Sequence, residues 1–295
     1  MFNELMENRA NGKNLVFSPY SLQQMFDFIA QKTSSRKYLS WIEQFIEKGI
    51  SDEELGDTKT DRKLEIDGNK ISLTTTADYE SKWCSSFDVS MTREKDFSTE
   101  KGVTVNVSTM TKTFSQKEIR YEIAPEHEIV CLQCENNSLV YFIKPNKNQP
   151  STYAQRLKRV LEWFNSERSF IRAKLELALP KINKLEDNFD LKTLLKNIGL
   201  RSFFDGTLVF DKMGNFDEVT LEKAEQKTTI NIDEKGAKGT VWTGFQFYTI
   251  GISPVTRVIR IRMDSPYFIV IADKVKTSDT YRTVFIAYIA NPSKI

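Results

Sequence analysis

The hydrophobic period of this chain changes at Lys70, and that change limits the folds open to it. Upstream, apolar residues recur at helical spacing. Leu22, Met25, Phe26 and Ile29 fall on one face of a helix. Ser18 and Pro19 precede them; serine suits the cap and proline the first helical position. Tyr38, Trp41, Ile42, Phe45 and Ile46 repeat the pattern up to Gly49. A short amphipathic helix is predicted over 1–12, with Phe2, Leu5 and Met6 apolar and Gly12 as its stop. Residues 51–69 are polar and charged and are expected to form a surface loop. From Lys70 to Pro145, Thr, Ser, Val, Ile and aromatic residues come in short runs, which predict strands and hairpins. Helix returns over 151–165, on Tyr153, Leu157, Val160, Leu161 and Phe164. Residues 169–179 alternate as a strand, and Asp190–Asn197 reads as a short helix with Gly199 just past its end. Strand-like runs dominate from 226 onward. Helices first and strands later predict an α+β domain with antiparallel sheets. No repeat or low-complexity linker divides it, so residues 1–295 are expected to form a single domain.

Composition excludes several function classes. At 295 residues the chain can bury about 75% of its unfolded surface and needs no staple. Lys+Arg is 42 and Asp+Glu is 40, and a net charge of +2 argues against nucleic acid as a partner. No apolar run is long enough for a membrane span. The opening residues are polar, without a signal-peptide apolar region, so an intracellular protein is expected, with unconventional secretion left open. Three cysteines do not make a disulfide framework. Cys131 and Cys134 have a redox-like spacing but, on a strand, face opposite sides, and are read as structural. Cys84 stands alone. The one histidine, His127, lies between Glu126 and Glu128 and is read as solvated rather than catalytic. Asn106-Val-Ser108 and Asn136-Asn-Ser138 match the glycosylation pattern and are expected to be silent. Arg257, Arg260 and Arg262 alternate with apolar residues, as on a half-exposed strand. Gly236, Gly239 and Gly244 lack the ending of a phosphate loop. No paired carboxylates stand out. Neither an enzyme nor a cofactor is expected.

Several segments, in order along the whole chain, resemble the serpin family. The most specific is Leu179-Pro180-Lys181-Ile182 followed by Asp190-Leu191, Leu194-Leu195, Ile198-Gly199-Leu200 and Phe203-Phe204-Asp205. Asn14-Leu15-Val16-Phe17-Ser18-Pro19-Tyr20-Ser21 is similar to the N-terminal strand and buried helix. Ile71–Trp83 resembles the central strand of sheet A, with its tryptophan at Trp83. Ile232-Asp233-Glu234-Lys235-Gly236 resembles the hinge of the reactive-centre loop. Met263–Phe268 and Ala290-Asn291-Pro292 resemble the C-terminal strands. The resemblance implies sheets A, B and C with an N-terminal helical part. The chain is short for the family: Tyr38–Lys48 resembles the helix that covers sheet A, yet it follows the buried helix after only a few residues. Several usual helices and edge strands of sheet A are therefore expected to be missing. By analogy this resembles a cut-down viral, poxvirus-like member acting in the host cytoplasm.

The implied function is mechanical. A host protease, serine type first and cysteine type second, attacks an exposed loop over about 236–257 and forms an acyl-enzyme. The freed loop then inserts into sheet A and the trapped protease is distorted. A monomer is expected. Counting from Gly236, the inward face is Ala237, Gly239, Val241 and Thr243, all small or modest. Lys238, Thr240, Trp242 and Gly244 form the outward face. Lys235 stands where the family often has Glu. The family's Asn and His beneath the parting strands correspond to Thr75 and Gln226, which join Ser18 and Ser21 in the shutter; a Thr–Gln pair can still hydrogen-bond. Counting forward places the scissile bond at Ile250-Gly251; counting back from Pro266 places it at Val255, near Arg257. No Asp occurs between Gly236 and Met263, which disfavours a caspase-type target. The alternative is a non-inhibitory serpin that acts as an immune-modulating binding protein.

Overall fold

A computed structural model describes residues 13–36, 39, 58–67, 70–146, 155, 156, 158, 159, 162, 170–197, 201–204, 211–213, 220–237, 258–276 and 280–295. The helices expected over 1–12 and Tyr38–Lys48 lie outside the described residues, except Leu39, which is helical. Of 151–165 only five positions are described, all helical.

Strand β1 (Leu15–Phe17) leads into a helix at Pro19–Lys32. The predicted cap forms: the Ser18 hydroxyl accepts from the Ser21 amide at 3.1 Å, and Pro19 opens the first turn. Leu22, Met25, Phe26 and Ile29 are buried on the predicted face. A shorter helix covers Leu191–Asn197, where the Asp190 carboxylate accepts from the Lys192 amide at 2.9 Å. Leu191 and Leu195, one turn apart, are its buried side.

Three main sheets are stacked. In the largest, β1, β16 (Tyr281–Ile289), β15 (Tyr267–Lys274), β9 (Leu139–Pro145), β8 (His127–Gln133) and β7 (Ile119–Ile123) lie side by side, antiparallel throughout. The second has the order β14 (Ile259–Arg262), β10 (Leu175–Pro180), β6 (Thr104–Phe114), β5 (Arg93–Ser98), with β14 parallel to β10. The third has the order β11 (Ile182–Asp190), β12 (Thr220–Ile232), β3 (Lys70–Tyr79), β2 (Thr58–Asp67), with β12 parallel to β3. A two-stranded piece joins β4 (Ser81–Lys82) to β13 (Gly236–Ala237).

Strand β2 corrects the loop expected over 51–69. Residues 58–67 pair residue for residue with β3. Lys63 and Glu65 are exposed, while Leu64 between them packs on the core. An edge strand needs only one apolar face, so a charged segment can pair, and its charges discourage further pairing.

The six-stranded sheet is buried on both faces. Phe268, Val270 and Ala272 of β15 join one core, which also holds the Pro19–Lys32 helix and parts of the third sheet. Tyr267, Ile269 and Ile271 join the other, against the second sheet. Burial on both sides is why β15 reads as a continuous apolar run rather than an alternation. Each Val, Ile or Phe side chain so buried stabilises the fold by about 1.5–3 kcal/mol. Asn14 ties the two ends together. Its Nδ2 donates to the Asn291 carbonyl at 2.7 Å, and its Oδ1 accepts from the Ala290 and Asn291 amides at 2.9 and 2.8 Å.

The remaining motifs fall into place around this frame. Cys131 and Cys134 belong to opposite cores, as the strand period requires, and Cys84 is exposed. His127 is half-buried rather than solvated, with Nε2 2.9 Å from Glu122 Oε1. Antiparallel pairing of β7 and β8 brings that glutamate alongside it. Asn106 is exposed on β6. Asn136 Oδ1 instead accepts from the Ser138 amide and hydroxyl at 2.9 and 2.6 Å. Ile261 is buried between exposed Arg260 and Arg262, the alternation expected; Arg257 lies outside the described residues. Among the described residues, no helix is long and apolar enough to cross a membrane, and no group of three His, Cys, Asp or Glu could hold a metal.

Candidate functional site: the seam of the third sheet and the base of the loop

Strands β3 and β12 pair directly, from Lys70 opposite Thr220 to Ala77 opposite Thr228. That register then ends, while β12 runs on to Ile232. Thr75 lies opposite Gln226 across the seam, and both are fully buried, as are Ser18 and Ser21 beneath them. The structure therefore gathers all four of the residues expected at the shutter. Gln226 Oε1 accepts from the Ser18 amide at 2.9 Å, and its Nε2 donates to the Ser18 carbonyl at 2.8 Å. The same Nε2 lies 3.4 Å from Ser21 Oγ, and Thr228 Oγ1 donates to Gln226 Oε1 at 3.3 Å. Ser21 Oγ donates to Thr75 Oγ1 at 2.9 Å. Thr75 and Gln226 thus meet through the Ser21 hydroxyl.

Glutamine carries a peptide-like amide, so one side chain satisfies both backbone groups at the helix start. The ties across the seam are unequal. Gln226 binds the helix through three contacts, while one hydroxyl bond links the helix to Thr75. By side-chain hydrogen bonds the helix start is therefore tied more closely to β12 than to β3.

Above the seam, β12 ends in a turn. Asp233 Oδ1 accepts from the Lys235 and Gly236 amides at 2.8 and 3.1 Å, a side-chain-closed turn. Trp83 holds this turn with two donors, its amide to the Lys235 carbonyl at 3.0 Å and its indole Nε1 to the Asp233 carbonyl at 2.9 Å. The Phe87 amide donates to the Glu234 carbonyl at 2.9 Å. Glu234 is 5% exposed. It sits 2.9 Å from Lys181 Nζ and accepts from Thr92 Oγ1 at 2.7 Å. Burial alone would push its pKa up, but the bonds from Lys181 and Thr92 hold it below the ordinary value. Gly236 passes so close to β4 that a Cβ would meet the Ser81 carbonyl oxygen and lie 2.6 Å from Lys82 Cα. Only glycine fits there.

Of the expected hinge, Glu234, Lys235, Gly236 and Ala237 are at this base. Lys238, Gly239, Thr240, Val241, Trp242, Thr243, Ile250 and Gly251 lie outside the described residues. Sequence reasoning missed Lys181, Thr92 and Phe87 as partners of the base, because each arrives from a distant segment. It also missed Thr228, which the two-residue period of a strand places on the same face as Gln226.

The family model for Serpin (serine protease inhibitor) matches residues 24–292. The chain belongs to the serpin family. Its fold is that of the family: the third sheet is sheet A, the six-stranded sheet B and the second sheet C. A crystal structure of human glycosylated kallistatin superposes with a TM-score of 0.74 at 16% identity, covering 99% of this chain and 95% of that one. Human heparin cofactor 2 is 27% identical over 227 residues, 73% of this chain and 41% of its own length. Mouse alpha-1-antitrypsin 1-4 is 24% identical over 85% of this chain and 57% of its own. Bovine corticosteroid-binding globulin is 23% identical over 73% of this chain and 50% of its own. The serpin chain thus spans about half the length of these curated relatives.

Proposed function

We propose that this serpin is a suicide inhibitor of a host protease, serine type first, with the loop over about 236–257 as bait within a single domain. The carrying observation is the direct parallel pairing of β3 and β12. Two parallel neighbours can accept one antiparallel strand between them, and every main-chain group on the inner edges of both then finds a partner. The loop base stands directly above this seam, tethered through Trp83, Phe87 and Gly236. Cleavage between Ile250 and Gly251 would leave enough chain to reach down the seam. Val255, near Arg257, is the other candidate bond. We further read the protein as monomeric, intracellular and of the viral, cut-down type. The last reading draws on the short stretch, residues 33–57, between the buried helix and β2.

The test is thermal unfolding before and after a single nick within residues 244–257. Insertion predicts a large rise in Tm, followed by a protease complex that survives boiling in detergent. An unchanged Tm would sink the inhibitory reading.

A second reading is a non-inhibitory serpin that binds a partner to modulate host immunity. The fully satisfied Gln226 clamp favours it, because a seam without an orphaned polar group has less reason to open. Corticosteroid-binding globulin, by its name, is a relative that binds a ligand.

A further inference from the structure

One half-buried cation close to the loop base has no part in the seam. Lys112, on β6 of sheet C, points its ammonium at the segment that links Trp83 to β5. Its Nζ donates to Ser85 Oγ at 2.5 Å and to the Ser86 carbonyl at 2.7 Å. The Ser85 hydroxyl donates a hydrogen bond to Glu118 Oε1, and Glu118 Oε2 accepts from the Ser115 amide at 2.7 Å. The ammonium also stands 4.9 Å from the centre of the Phe114 ring. Phe114 in turn meets the Phe87 ring edge-on, with centroids 5.4 Å apart. Phe87 is the next residue after Ser86, and its amide donates to the Glu234 carbonyl at 2.9 Å. Sheet C thus grips three consecutive residues, and the last of them holds the loop base.

We propose that Lys112 is the positioning residue of the loop base: by fixing Ser85 and Ser86 it seats the Phe87 amide under Glu234. Charge-assisted bonds are roughly twice as strong as neutral ones, and a carbonyl and a hydroxyl held by one ammonium cannot shift independently. The segment between Trp83 and β5 includes a short 3-10 turn, Val89–Met91, whose Val89 and Met91 are exposed. Phe87 is the one buried residue between Cys84 and Thr92, so the segment is positioned by that ring together with the polar anchors on Ser85 and Ser86. The role of the seated base, to release the loop only after cleavage, rests on the inhibitory reading; the seating itself does not.

The experiment is backbone amide exchange on the uncleaved full chain. Lys112→Met keeps the aliphatic stem and removes the donors. It should speed exchange at Phe87 by about tenfold and at Trp83 by less, with Ile71 and Leu73 of β3 unchanged. Lys112→Arg restores donors and should recover most of the protection, a rescue that simple loss of packing would not show. Ser85→Ala removes one acceptor and should fall between. Unchanged protection at Phe87 in Lys112→Met would overturn the proposal, as would a loss spread equally over β3 and Phe87. A selective loss at Phe87 without any rise in Tm after nicking would leave this inference standing and reject the inhibitory reading alone.

Discussion

Glu234 shows how a single side chain can make the loop base sensitive to acid. Its carboxyl is held below its ordinary value of 4.5 by Lys181 and Thr92, against the opposing effect of burial. A depressed folded pKa means that the ionised form is the bound one. The stabilisation is fully present above 4.5 and is lost as pH falls through the lower, folded value. Glu234→Gln should therefore flatten the acid limb of Tm against pH while changing little at neutral pH beyond a constant offset. Tyr267 is the opposite case. Its ring is fully buried against Phe97, and its hydroxyl finds no hydrogen-bond partner among the described residues. Burial raises its pKa well above the ordinary tyrosine value, so the hydroxyl stays neutral. Tyr267→Phe removes an unsatisfied buried group and should leave stability unchanged or raise it by up to about 1 kcal/mol in denaturant unfolding.

At the scale of elements, the seam between β3 and β12 is closed by side chains on one helix. Gln226 and Thr75 differ in what they leave behind when removed. Gln226→Leu strips the Ser18 amide of its acceptor in a buried site and should cost about 1–3 kcal/mol of native stability. Thr75→Val removes one hydroxyl bond and should cost about 1 kcal/mol. If the helix travels with β12, the smaller lesion has the larger kinetic effect. Thr75→Val should then accelerate the stabilisation that follows a nick more than Gln226→Leu does. Denaturant midpoints together with the time course of thermal stability after nicking check both halves of this expectation. Equal acceleration by the two variants would mean that the helix is tied evenly to both strands.

For the whole molecule, sheet B is the shared wall of two cores. Ile269 and Val270 are neighbours in sequence, yet one packs toward sheet C and the other toward sheet A. Damage to β15 therefore reaches both sides. Ile269→Ala should cost about 2–5 kcal/mol through lost burial and a residual cavity. Near- and far-ultraviolet circular dichroism should still report coincident unfolding transitions, because neither core is closed without sheet B. Separate transitions would show that the sheet A side unfolds on its own.

Whatever depends on short-range pattern was legible along the chain. The helix at Pro19–Lys32, its Ser18 cap and its buried face were legible, because capping and helical spacing are local chemistry. So were the strands that dominate from 226 onward and the opposed faces of Cys131 and Cys134. That Ser18, Ser21, Thr75 and Gln226 would meet could be expected only through family resemblance. Whatever depends on neighbours emerged only when the sheets packed. Residues 58–67 carry charges that argue for a loop, yet pairing with β3 makes them a strand. Asp233–Gly236 could be read as a hinge, but not that Trp83, Phe87, Lys181 and Thr92 would converge on it. A local pattern records the period of one element. It cannot record which distant donor fills a given carbonyl, because only the packing of sheets against one another brings those atoms within reach.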